Sequence, residues 1–353
     1  MNEQKPAAMG EYNVSVTGWT GFEDEILRLR NANRSVTQDR LYLEWRYGRR
    51  NGAPEPIVFW VKSQTGEAVG MASLIFRPFS MDRKEVYIGV LGDISLDESL
   101  RGKGIGRRLL EYVRRYLTEN LADLTAIVIP NEAARKSLIS AGWTIEGNLV
   151  PYALPFAPVG KLTRTLRSEF LARCLSGFMK RLVLALARFQ TRKGYTMRMV
   201  SEVDTSFDGF WESIPKANLI LGARTVRTLT WRYADHPHVR FLIGKMMKSD
   251  ELAGYLVFYY SLSDSTFYIY DLAVSEQKDL LCMLGLFLEY CTRQREAGNV
   301  RIVLSERHPY CGLLWKLGFV PRSDVGTFHV KWPNGSAREN RPNWSMSLGD
   351  KDV

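Results

Sequence analysis

The strongest constraint on this chain is that it repeats itself. Phe22, in an acidic helix-like segment, recurs as Phe207, and Leu43-Glu44-Trp45-Arg46-Tyr47 recurs as Leu229-Thr230-Trp231-Arg232-Tyr233. Paired strand-like runs follow in each half, at 57–62 and 69–76 and again at 240–245 and 252–261. Gly92-Asp93-Ile94-Ser95-Leu96 then parallels Tyr270-Asp271-Leu272-Ala273-Val274. Each half continues with a long helix-like stretch (103–119, 277–296), a short strand (125–129, 300–304) and a short helix. That helix ends in Ala141-Gly142-Trp143 or Leu317-Gly318-Phe319, where glycine stops the helix and an aromatic starts the next strand. A period this long means two duplicated domains rather than a solenoid. Strands that pair in hairpins before one parallel crossover predict an α/β fold of the α+β kind, a mixed sheet with helices on both faces.

The boundaries follow from composition. Residues 12–155 form the first domain, 156–198 a basic helical linker, 199–331 the second domain and 332–353 a loose polar tail containing Pro333, Gly335, Pro342 and Gly349. The formal charge of +10 is concentrated in the linker. Residues 161–193 carry Lys161, Arg164, Arg167, Arg173, Lys180, Arg181, Arg188, Arg192 and Lys193 against one acid, Glu169. Such a segment suits an acidic partner, an anionic membrane surface or RNA. Because its polar and apolar residues do not separate cleanly around one helix, it is expected to be a helix pair with a buried apolar face, contact with a membrane surface through 161–193 being the sharper alternative. No apolar signal segment follows Met1-Asn2-Glu3-Gln4-Lys5, and no run of about 18 apolar residues is present. Cys174, Cys282, Cys291 and Cys311 lack disulfide or metal spacing, and with His236, His238, His308 and His329 they predict no metal site. A reduced, cytoplasmic protein is expected.

One motif has no counterpart in the other half. Arg101-Gly102-Lys103-Gly104-Ile105-Gly106 joins the strand-like run 86–96 to the helix-like run 107–119. A glycine-rich strand-to-helix turn presents backbone N–H groups at the positive end of a helix dipole, which suits a phosphate or pyrophosphate. The corresponding stretch of the second half is Asp279-Leu280-Leu281-Cys282-Met283-Leu284, too bulky and acidic for that task.

With Leu96 five residues before Arg101, Asn131 and Ala134 after the next strand, and Gly142-Trp143 closing the next helix, the first half resembles the GNAT superfamily of acyl-CoA-dependent N-acyltransferases. The family loop is Arg/Gln-x-x-Gly-x-Gly/Ala, which this sequence matches fully. The motifs cover about 12–155; the second half joins only through the repeat, as a degenerate GNAT-like domain. The resemblance implies two tandem GNAT-like domains with one acetyl-CoA site and no metal. Arg101, Gly102, Lys103, Gly104, Ile105, Gly106 and Arg107 would hold the CoA pyrophosphate. Ile94, Ser95 and Leu96 would pair with pantetheine as an added strand, and Asn131 would approach the pantetheine or its thiol. The implied chemistry is direct attack of an amine on the thioester, with a base for the ammonium proton and an acid for the thiolate.

Asp93 is the expected base, with Glu85, Tyr87, Ser95 and Glu98 behind it. The family's acid, a tyrosine, falls at Leu138, and at Trp315 in the second half, so Tyr152 is the substitute considered. The expected acceptor is an amine of a small molecule or glycan precursor, not DNA. Two alternatives stay open: an aminoacyl-tRNA-dependent transferase of two-domain GNAT-fold type, and a non-catalytic acyl-CoA sensor. The Trp-Arg-Tyr triplets, present in both halves, read as core aromatics with a locally paired arginine.

Overall fold

A computed structural model of the chain describes residues 7–9, 11–48, 52–294, 297–334 and 341–351. The first residues of the chain and 335–340 and 352–353 of the expected tail lie outside the described residues. The first half runs β1 (Ala7–Met9), β2 (Tyr12–Thr17), α1 (Glu23–Ala32), α2 (Arg40–Leu43), β3 (Ile57–Ser63), β4 (Ala68–Met81), β5 (Lys84–Leu96), α3 (Ile105–Asn120), β6 (Ala126–Val128), α4 (Glu132–Ser140) and β7 (Thr144–Pro155). The rest is α5 (Val159–Leu166), α6 (Glu169–Gln190), β8 (Tyr195–Val200), α7 (Ser206–Ser213), β9 (Leu219–Gly222), α8 (Val226–Leu229), β10 (Leu242–Lys248), β11 (Glu251–Ser261), β12 (Thr266–Val274), α9 (Leu280–Arg293), β13 (Asn299–Ser305), α10 (Cys311–Leu314), β14 (Val320–Pro321), β15 (Gly326–Lys331) and β16 (Asn343–Trp344).

The chain divides into two compact units. The first holds the described residues of Met1–Asn148 and Gly326–Arg341; the second holds Leu149–Val325 and Pro342–Lys351. Each is a mixed sheet with helices, as the sequence predicts, and the repeat extends to detail. The triplets sit in matching five-residue π-helical turns, Glu44–Gly48 and Thr230–Ala234. Gly142 and Gly318 end their helices at φ 80° and 87°. In both, the next aromatic's N–H reaches back to the helix: Trp143 to Leu138 O and Phe319 to Leu314 O.

In the first unit β2, β3, β4 and β5 run antiparallel, then β5 pairs parallel with β6. The core lies between this sheet and α3, whose Ile105, Leu109, Leu110, Val113 and Leu117 fall on one buried face at helical spacing. In the second unit β10, β11 and β12 are antiparallel and β12 is parallel to β13. There α9 supplies the covering face, with Leu280, Met283, Leu284, Phe287 and Leu288 buried.

Two expectations about boundaries need correction. The sequence closes the first domain at 155 and the second at 331. Instead, β7 from Leu149 to Pro155 pairs antiparallel with β13 of the second unit, and His329–Lys331 of β15 pair antiparallel with Ala126–Val128 of β6 in the first. The two halves therefore exchange their strands, each giving the other an equivalent one. Nor is the described end of the chain a loose tail. Trp344, Met346, Ser347 and Asp350 are buried, because Asp350 pairs with Arg224 at 2.9 Å and caps its own short turn with Ser347.

Candidate functional site

β5 and β6 part company where the loop begins. Their last pair is Leu91 with Val128, while β5 runs on to Leu96. On its other side β5 stays bonded to β4, through a bulge that places Asp93 and Ile94 opposite Ala72. Asp97 N–H bonds Val69 O on β4. By alternation the Leu96 N–H points the other way, toward the side β6 has left. The result is an open strand edge of five residues, 92–96.

The glycine loop follows directly. Gly102 and Gly104 both adopt φ 76°, and a Cβ built on either would meet no heavy atom within 4 Å. The glycines thus meet a backbone demand and leave empty space over the turn. Gly104 is the N-cap of α3 and offers no side-chain cap. The first intrahelical bond is Arg108 N–H to Gly104 O, so the N–H groups of Ile105, Gly106 and Arg107 have no helical acceptor. A Cβ on Gly106 would stand 3.2 Å from Leu96 Cδ1, so this glycine lets the helix start close on the strand end. Arg101 bonds Asn33 at 3.1 Å and Arg107 pairs with Glu111 at 2.7 Å, and both are exposed, as is Lys103. This cradle and its positive rim fit a pyrophosphate. The Ser95 hydroxyl, buried at the open strand end, has no partner among the described residues.

The other expected site residues are engaged elsewhere. Asp93 is 1% exposed and bound on all sides. Arg30 and Arg34 reach Oδ1, the latter at 3.1 Å; Arg46 Nε and Tyr47 Oη donate to Oδ2 at 2.8 and 2.6 Å. Every lone pair of the carboxylate is committed, and an acceptor amine cannot reach it. The matching Asp271 is held the same way, accepting from Arg224 and Tyr255 at 3.0 Å and from Ser347 at 3.2 Å. The arginine of the first triplet is therefore paired with a distant carboxylate, not a local one. In the second, Arg232 bonds the carbonyls of Gly349 and Lys351.

Tyr152 lies in the part of β7 that belongs to the second unit, opposite Ile302. Burial and a bond with Cys311 push its hydroxyl well above the ordinary tyrosine range. Leu138 is fully buried in the first core; its counterpart in the second half is the equally buried Leu314, five residues before Phe319, rather than the exposed Trp315 expected from the sequence. Asn131 caps α4, its Oδ1 accepting the Ala134 N–H at 2.9 Å.

The second unit has the same splayed strands, β12 running past its last partner Ile302 to Val274. There the Val274 N–H, equivalent to that of Leu96, is taken by the Tyr310 hydroxyl at 3.2 Å. Tyr310 and the Arg30–Arg46–Tyr47 cluster were invisible to motif reading, because the residues that meet are far apart in sequence.

Residues 19–139 match the model of the acetyltransferase (GNAT) family. A search of curated proteins found no match. Among solved structures, the chain is similar to a probable N-acyltransferase of unknown function from Enterococcus faecalis V583, with TM-score 0.64, 9% identity, and 92% of this chain and 72% of that one covered. It is similar to a GCN5-related N-acetyltransferase from Anabaena variabilis, at TM-score 0.61 and 12% identity, covering 91% and 73%. A tandem GNAT protein from the clavulanic acid biosynthesis pathway gives TM-score 0.56 and 16% identity, covering 93% and 100%. At these identities the likeness concerns the fold, and the fold is a tandem GNAT one.

Proposed function

Residues 19–139 are a GNAT-family domain, and from the cradle they carry we propose that this chain moves an acetyl group from acetyl-CoA to an amine of a small molecule or glycan precursor. The observation that carries the reading is the uncapped, glycine-built start of α3 beside the open end of β5. Amides from Gly102 to Arg107 bind the pyrophosphate, and Arg101, Lys103 and Arg107 supply charge around it. The outward N–H groups of Ile94 and Leu96 hold the pantetheine amides as a neighbouring strand would. Bound acetyl-CoA supplies the thioester carbonyl that the amine attacks. A strand-end N–H polarises that carbonyl, a small oxyanion effect. Asp93 takes no proton in this reading; it fixes the bulge from which Ile94, Ser95 and Leu96 project. The Ser95 hydroxyl is the uncommitted polar side chain at that end. The setting is cytoplasmic.

Calorimetric titration with acetyl-CoA tests the first part, with one site per chain expected and binding lost in Gly104→Glu. No binding would end the proposal. Thiol release across a panel of amines tests the second, and a series of longer acyl-CoAs tests the acyl group. Leu138, buried where the family's acid stands, favours one rival: a sensor that binds acyl-CoA without turnover. It is the correct reading if binding is intact and no amine releases thiol.

A further inference from the structure

Helix α6 is anchored by one face and bare on another. Ala172, Ser176, Val183 and Ala187 are buried. A Cβ on Gly285 of α9 would come within 2.7 Å of Ala187 O, so the two helices are in close contact on that side. Around the helix, Leu171, Leu175, Phe178, Leu182 and Phe189 are spaced by four, three, four and seven residues. They form one line about 27 Å long at the helical rise. They are exposed by 54%, 40%, 64%, 50% and 84%. Phe170 at the helix start and Leu166 at the end of α5 extend the bare apolar surface. The helix therefore has two apolar faces, which is why its pattern looks unsegregated in the sequence. The buried apolar face and the solvated basic residues are both as the sequence leads one to expect, and the exposed stripe comes in addition to them.

Charge lies along one flank. On a helical projection Arg181 and Arg188 border the stripe, with Arg173 and Lys180 further round. The segment's one acid, Glu169, is already paired with Arg173 at 2.6 Å. A line of leucines and phenylalanines beside arginines is the composition of a helix lying in the plane of a lipid surface. Two other occupants fit less well. A second copy seated on the stripe would bring two arginine-lined flanks together without acids to offset them. RNA would satisfy the cations and leave the apolar line in water.

We propose that α6, with the end of α5, docks this protein on an anionic lipid bilayer, the apolar stripe entering the interface and the arginines meeting the headgroups. No helix of the described residues is long and apolar enough to cross a membrane; the contact is peripheral.

The test is co-sedimentation of the full chain with phosphatidylcholine vesicles, with and without phosphatidylglycerol, at low and high salt. Binding is expected with phosphatidylglycerol, and weakened by salt. Arg181→Glu with Arg188→Glu should lower partitioning by more than about tenfold, since each basic residue near such a surface contributes substantially. Phe178→Asp with Phe189→Asp should abolish it. All four positions are exposed, and unchanged helix content and thermal unfolding confirm that the fold persists. If the phenylalanine variant does not fold, the arginine variant decides alone. The proposal is overturned by no binding to anionic vesicles, or by binding that neither variant weakens. It also falls if sedimentation shows a dimer that Phe178→Asp dissociates, or if the chain retains RNA in preference to vesicles.

Discussion

Asp93 shows how a carboxylate near the proposed reaction centre can belong to the scaffold. Its position on a bulge at φ 47° costs backbone strain, which three guanidinium groups and a tyrosine hydroxyl offset. Removing one partner of such a buried cluster leaves uncompensated charge. Asp93→Ala should therefore destabilise the first unit by about 3–5 kcal/mol in urea unfolding. A general base would give a different result: a stable variant whose activity changes its dependence on pH. Gly104 is the opposite case. With φ 76° and open space around its missing Cβ, Gly104→Ala should cost stability by only about 1–2 kcal/mol, from the left-handed backbone alone. Its acetyl-CoA affinity should fall at least about tenfold, because methyl and phosphate compete for one space. Equal affinities in calorimetry would remove the loop from the site.

At the scale of elements, strands are shared in a way the sequence does not announce. The short β6, Ala126–Val128, sits between β5 and β15, and β15 arrives from nearly two hundred residues later. A fragment of residues 1–148, which lacks both β15 and the Leu149–Pro155 part of β7 that could replace it, should thus be poorly folded, since β6 is left as a bare apolar edge. Val330→Asp in the full chain should destabilise the unit that carries the glycine loop. Circular dichroism and limited proteolysis check the fragment; loss of acetyl-CoA binding on mild heating checks the variant. A stable, ligand-binding 1–148 fragment would contradict the need for that pairing.

This also marks what the sequence could and could not tell. The loop from Arg101 to Gly106, the repeat, and the helix-ending Gly142 and Gly318 were all legible, because each is a local demand on the backbone written in adjacent residues. The strand exchange was not legible, because β7 and β15 are equivalent strands and either satisfies the same sheet edge by period and polarity. The partners of Asp93 were hidden for a related reason. Arg30, Arg34 and Arg46 look like ordinary surface cations until the fold buries two of them beside it.

Over the whole molecule, the repeat has left one unit with an uncapped glycine turn beside its open strand end and the other with a tyrosine bonded to the equivalent strand N–H. In the second, Tyr310 fills the strand edge, and its neighbour His308 is buried with its Nδ1 accepting the Tyr310 N–H at 3.2 Å. Burial pushes the His308 ring down to about 3. It is neutral in the native state at any ordinary pH. The unfolded chain binds a proton at this residue once the pH falls below about 6.5, and the native chain does not until about 3. His308 therefore subtracts no stability above pH 6.5 and subtracts increasingly from there down to 3. At pH 4.5 the deficit approaches about 2–3 kcal/mol, at 1.4 kcal/mol per unit. His308→Asn keeps an acceptor for Tyr310 and has nothing to titrate. Between pH 7 and pH 4.5 the natural protein should lose about 2 kcal/mol more than this variant in the urea transition of the second unit. His236, which burial and Arg232 lower to about 4, titrates in both proteins and cancels from the difference. If the two proteins lose stability in parallel, His308 is not held neutral, and water or a charged neighbour reaches its ring.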